Sequence, residues 1–126
     1  MILDKSAFLT PVPVDLVKFE IPELGGSVYI KGMTVVERSK FERQFRTRKG
    51  DTNDRKMNEI RQRMLVACVC DSSGQQLLTD ADIEAIGKQR ADIVERLVNA
   101  AQVACGMSTD DMADIVKNSE TTDENS

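Results

Sequence analysis

Hydrophobic and polar positions alternate twice near the start of the chain: Lys18 and Glu20 separate Val17, Phe19 and Ile21, and Tyr29 separates Val28 from Ile30. A period of two belongs to a strand with one face turned inward. The stretch between the two runs, Pro22-Glu23-Leu24-Gly25-Gly26, is rich in turn formers. Residues 16–32 therefore predict a β-hairpin whose inward stripe is Val17, Phe19 and Ile21, with Gly32 giving the backbone freedom to leave the second strand. Residues 1–15 follow neither period, and Pro11 and Pro13 argue against helix, so an extended arm is expected there.

From residue 34 the period becomes helical. Thr34 followed by Glu37 is a capping-box pattern, in which each side chain satisfies the other residue's backbone amide. On the helix that starts there, Val35, Phe41 and Phe45 fall within an arc of about 120°, the width of a core-facing stripe, and the helix is expected to stop near Lys49 at Gly50. A polar loop leads to a second helix whose Met57, Ile60, Met64, Ala67 and Cys68 share an arc of about 100°. Asp71-Ser72-Ser73-Gly74 reads as a turn, Gln75 to Leu78 as a brief extended stretch, and Thr79 with Asp82 as the cap of a short helix ending at Gly87.

A longer helix from about Gln89 to Cys105 carries Ile93, Val94, Leu97, Val98, Ala100, Ala101 and Ala104 on one broad apolar face, which marks it as the central packing helix. Gly106 ends it. Ser108 and Asp111 then cap a last short helix with Met112, Ile115 and Val116. Residues 118–126 have no apolar side chain and are expected to be disordered. The fold class is thus α+β and predominantly α-helical: an N-terminal β-hairpin followed by four to five helices in one globular domain over 1–117, then an acidic tail.

Composition narrows the function classes. At 126 residues the chain can build one small core. It contains no histidine, which removes Ser-His-Asp and Cys-His nucleophile systems and every His-containing metal site. Cys68, Cys70 and Cys105 are three thiols, one ligand short of a tetrahedral zinc site, and Cys68 continues an apolar stripe, so buried small hydrophobes are expected rather than a metal centre. An odd cysteine count without an apolar leader fits a reducing compartment, and no membrane role is expected. A calcium loop starting at Asp71 fails on spacing, since its sixth and twelfth positions are Gln76 and Asp82 rather than glycine and a bidentate glutamate. The acids at Asp80, Asp82, Asp110 and Asp111 suit helix N-termini, leaving no catalytic constellation and no cofactor to assign.

The net charge of −4 is unevenly spread: residues 1–33 sum to −1, 34–65 to +5 and 66–126 to −8. The basic segment, with Arg43, Arg46, Arg48, Lys49, Arg55 and Lys56, admits a small nucleic-acid-binding regulator as an alternative. Interspersed acids, and only Phe41 and Phe45 to stack on bases, favour a solvated helical face instead. Met57, Met64, Met107 and Met112 could form an adaptable binding surface or plain core, and a two-stranded hairpin leaves both edges open to a partner strand.

The order of features resembles a family. A Pro-rich arm, the strand pair VKFEIPELGGSVYIKGMTVVER, a charged helix, the segment RQRMLVACVCDSSGQQLLTDADIEAIGKQRADIVERLVNAAQVACGMS and an acidic tail together resemble the tail assembly chaperones of long-tailed bacteriophages and prophages. The most specific parts are Gly25-Gly26-Ser27-Val28 leading through Gly32-Met33-Thr34 into Glu37-Arg38, and Asp71, Gly74 and Leu78 to Ile83 followed by the Ile93 to Ala104 helix. The resemblance implies a protein of the host bacterial cytoplasm, absent from the finished virion, that coats and solubilises the tape measure protein and helps recruit tail tube protein. A minor structural tail completion protein is the alternative within the same setting. Contacts with the partner are expected at Phe19, Val28, Tyr29, Ile30, Phe41, Phe45, Met57 and Met64. The oppositely charged regions offer a route to homo-oligomers, with no nucleic acid, membrane or metal involved.

Overall fold

The computed structural model describes residues 1–46 and 54–107. Its first element is one that the sequence argued against. Helix α1 (Lys5–Leu9) is a single capped turn within the arm: the Ala7 amide donates to Asp4 Oδ1 at 2.8 Å, and the Thr10 hydroxyl donates to the Ser6 carbonyl at 2.9 Å. Pro11 and Pro13 lie beyond it and end it rather than prevent it, because the residue before a proline is steered out of helical geometry. No residue of α1 is buried.

Strands β1 (Leu16–Ile21) and β2 (Gly26–Lys31) form the expected antiparallel hairpin, with Phe19 opposite Val28 and Val17 opposite Ile30. A single 3-10 turn at Pro22–Leu24 connects them, closed by Gly25 at φ +71°. The inward stripe holds only in part: Ile21 is buried and Phe19 half-buried, but Val17 is exposed. Val17 lies on the edge strand, whereas its partner Ile30 lies on the central strand and is fully buried.

Helix α2 (Val35–Arg43) starts with the expected capping box: the Glu37 amide donates to Thr34 Oγ1 at 3.2 Å and the Thr34 amide to Glu37 Oε1 at 2.9 Å. It ends earlier than the expected Lys49–Gly50 boundary, which lies outside the described residues. Phe41 and Phe45 are buried edge to face, with ring centroids 5.1 Å apart. Val35, grouped with them by periodicity, is instead 84 % exposed.

The expected second helix is two, α3 (Asp54–Asn58) and α4 (Ile60–Cys68), parted at Glu59. Arg63 secures the break, donating to Glu59 Oε1 at 2.9 Å and to Gln44 Oε1 at 3.0 Å. Strand β3 (Val69–Cys70) follows α4 directly and pairs antiparallel with β2, Ile30 opposite Val69 and Tyr29 opposite Cys70. The hairpin is therefore part of a three-stranded sheet in the order β1-β2-β3. The chain returning after the turn at Asp71–Gly74 bridges Cys70 through Gln76, and the Leu77 amide donates to the Val69 carbonyl at 3.2 Å. Among the described residues, the β1 edge is the one without a β neighbour.

A 3-10 turn at Asp80–Asp82, anchored by the Thr79 amide on Asp82 Oδ2 at 2.8 Å, leads into α5 (Ile83–Gly87). Helix α6 (Ala91–Ala104) then packs on α4 and on both strands of the hairpin, burying Ile93, Val94, Leu97, Val98 and Ala101. This is the central helix its apolar face predicts. Gly106, at φ +68°, ends it. The last short helix and the acidic tail expected from the sequence lie outside the described residues.

Candidate functional site

One face of the hairpin is only partly covered. An apolar groove is lined by Ile21, Val28, Leu65, Val69, Leu78, Ile86, Ile93, Val94 and Leu97; Ile21, Leu65, Val69, Ile93, Val94 and Leu97 are core residues at its base, and Val28, Leu78 and Ile86 are half-buried. Leu24 and Leu77 stand at its mouth, 59 % and 51 % exposed. The space is about 300 Å³, enough for a few aliphatic side chains and at the lower end of what pockets for whole ligands require. Its polar groups are Asp82 and Gln89. Asp82 is already engaged by the Thr79 amide, so the groove offers apolar surface for burial and little chemistry beyond it.

Local sequence positions each part. The Asp71 carboxylate accepts from the Ser73 amide at 2.8 Å, the Ser73 hydroxyl at 2.6 Å and the Gln75 amide at 3.0 Å, which turns the chain and sends Leu77 and Leu78 back alongside β3. The Ser73 hydroxyl, followed by the Gln75 amide, holds the Asp71 carboxyl below its ordinary pKa. At the opposite end, Glu23 in the hairpin turn accepts from Arg96 at 2.5 Å and from Arg90 at 3.3 Å, tying the Leu24 side of the groove to the start of α6. The Glu23 pKa is lowered by its own backbone amide first and then by Arg96. Arg90 also forks onto Asp92 at 2.6 and 2.7 Å, bringing that carboxyl down to about 2.

The eight contact residues expected from the sequence do not come together. Val28 lies in the groove wall. Phe19, paired with it across the hairpin, is half-buried against the core, as is Met57 on α3. Tyr29 is half-buried on the other face of the sheet, between Lys18 and Cys70. Ile30, Phe41, Phe45 and Met64 are at most 3 % exposed and belong to the core. Periodicity marks them as apolar-facing, and in this fold that face is filled by α6, α4 and the sheet. Met107 is likewise buried, so of the four methionines expected to form a binding surface only Met57 is half-exposed among the described residues, Met112 lying outside them.

Sequence reasoning missed Leu24, Leu77, Leu78 and Ile86. The available signal was two leucines after a polar turn and one inside a hairpin connection, places where an apolar side chain has little core to join. Other exposed apolar residues lie on the arm, where Phe8 is 76 % exposed, on the β1 edge at Leu16 and Val17, and at Val35 and Val36.

The basic segment is partly neutralised by ion pairs: Arg38 with Glu42, Arg61 with Glu95, and Arg63 with Glu59. Among the described residues, no group of three acids or thiols is placed to hold a metal ion, and no helix is long and apolar enough to cross a membrane. Comparison with protein-family models, with curated proteins and with solved structures finds no match to this chain.

Proposed function

We propose that this chain is an assembly chaperone that holds another polypeptide, in the manner of the phage tail assembly chaperones its sequence resembles. The observation that supports this reading is the apolar groove, open to solvent at Leu24 and Leu77 and rimmed by Asp82 and Gln89. An open apolar concavity with a polar rim is the form of a reversible protein-binding surface, because it gains by burying the partner's apolar side chains while its charged surroundings keep the complex dissolved. The partner is an amphipathic helical segment of a tape measure protein. Side chains on one helical stripe enter the groove, and several copies of the chaperone cover one long partner. Tail tube protein is recruited to the coated partner, and the chaperone leaves before the virion is complete, remaining in the host cytoplasm.

The test is co-expression with the large helical product of the neighbouring gene. The wild-type chain is expected to bring that product into the soluble fraction and to co-purify with it. Leu24→Glu with Leu77→Glu should abolish the effect while leaving the helical circular dichroism of the free chain unchanged. Solubilisation by the doubly substituted chain would refute the groove, and failure of the wild type to solubilise any such product would refute the function.

A further inference from the structure

The three cysteines fall into two environments. Cys70 is fully buried, and its Sγ donates to the Tyr29 carbonyl at 3.5 Å. Cys68, at the end of α4, is also fully buried, but its sulfur faces that of Cys105 at 3.6 Å, and Cys105 at the end of α6 is partly open to solvent. Either thiol can donate in this contact. The contact between the two sulfurs, then the Met33 backbone amide and the nearby Arg38 guanidinium, lower the Cys105 pKa against its partial burial and the charge of Glu37. The same contact and its burial raise that of Cys68. A partly exposed sulfur backed by a second thiol at 3.6 Å has the features that make a cysteine reactive toward oxidants.

We infer that Cys105 is an oxidation site for hydroperoxides, with Cys68 as its resolving thiol. In the first step the Cys105 thiolate attacks the peroxide, an S–O bond forms as the O–O bond breaks, and the departing hydroxide takes up a proton to become water. In the second, Cys68 gives up its proton and attacks the Cys105 sulfur. The S–S bond forms, the S–O bond breaks and a second water leaves. Two thiols lose two electrons and one hydrogen peroxide becomes two waters. The bond spans 37 positions and ties the end of α4 to the end of α6, where β2 also leaves the sheet at Gly32. Bond formation brings the sulfurs from 3.6 Å to the roughly 2.05 Å of a disulfide.

The experiment uses the full chain treated with stoichiometric hydrogen peroxide, followed by intact-mass measurement, thiol titration in denaturant and peptide mapping. The expected product is a monomer lighter by about 2 Da with one titratable thiol, Cys70, and a Cys68–Cys105 cross-linked peptide. Cys68→Ala should stop at the first step, leaving a sulfenic acid at Cys105 that dimedone captures, and Cys70→Ala should behave as wild type. The disulfide form should melt higher, by on the order of 10 °C, and dithiothreitol should reverse the change. Retention of all three titratable thiols, a bond that includes Cys70, or a covalent dimer in place of the intrachain bond would overturn the assignment; so would dimedone labelling in Cys68→Ala at a residue other than Cys105.

Discussion

Replacing Gly32 with alanine sets two effects of opposite sign against each other. Gly32 is buried where β2 leaves the sheet, and its backbone is not in the left-handed region, so alanine could adopt its conformation. Taken alone, the loss of unfolded-state freedom would stabilise the protein by about 0.4–1 kcal/mol. A β-carbon at this position, however, would stand 2.5 Å from the Ala104 carbonyl oxygen and 3.3 Å from its carbon. Carbon–oxygen contacts close to about 3.3 Å, so either the end of α6 or the hairpin exit must retreat by about 0.8 Å. The obstacle is helix backbone and cannot rotate away as a side chain would. Overpacking of this kind costs about 1–3 kcal/mol, and at the middle of the two ranges this outweighs the entropic gain by about 1.3 kcal/mol. For a domain near 100 residues this lowers the melting midpoint by roughly 4–12 °C. Thermal and urea unfolding of Gly32→Ala measure it, with Gly26→Ala as the control: no atom lies within 4 Å of a β-carbon there, and its φ is also ordinary. A Gly32→Ala protein as stable as wild type, or a Gly26→Ala protein destabilised as much, would refute the close approach of β2 and α6.

Phe45→Ala should cost about 3–5 kcal/mol in urea unfolding, because its ring is fully buried against Phe41, while Leu77→Ala should stay within about 0.5 kcal/mol. Similar losses at both positions would mean that Leu77 is core rather than groove rim. Glu23→Gln removes the carboxylate shared by Arg90 and Arg96, and it is expected to weaken capture of the helical partner while shifting the melting midpoint little, since exposed ion pairs add little stability; unchanged capture would separate the clamp from the groove. The Asp92 carboxyl, held at about 2 mainly by its hydrogen bonds from Arg90, binds its proton less readily in the folded chain than at the ordinary value of 3.8. Its stabilising contribution is therefore complete above about pH 4 and disappears as the pH falls toward 2. Arg90→Gln should flatten this part of the pH–stability curve, and a slope equal to wild type would refute the assignment.

The sequence carried most of the local structure and little of the site. The capping box at Thr34, the turn at Asp71, the short helix ending at Gly87 and the broad apolar face of α6 are all short-range signals, written by residues within one or two turns of each other. Strand β3 was not legible because its two residues have no room for a period of two, and Val69 and Cys70 continue the apolar run of α4. It exists because β2 offers an edge, a fact of tertiary structure. The break at Glu59 was hidden for a related reason: the stripe from Met57 to Cys68 keeps helical phase across it, and the interruption is held by Arg63 reaching to Gln44 on another segment. Helix α1 shows the converse error, in which two prolines outweighed the Asp4 cap that stands before them.

The burial of Ile30, Phe41, Phe45 and Met64 has a physical cause that also explains where the groove lies. Helical or strand periodicity shows that a side chain leaves water; it does not show whether the chain itself or a partner covers it. In this fold the answer depends on element length. Helix α6 has 14 residues and rises about 20 Å, enough to run the length of the six-residue strands, and Ile30 and Met64 belong to the core it helps build. Helix α5 has five residues and rises about 7 Å, and beside it Val28, Leu78 and Ile86 stay half-buried. The extended segment at Leu77 and Leu78 and the turn at Leu24 border the groove without filling it. The exposed apolar side chains at the groove, Leu24 and Leu77, therefore lie in connections beside a short helix, while the strong periodic stripes are consumed in making the frame that holds those connections apart.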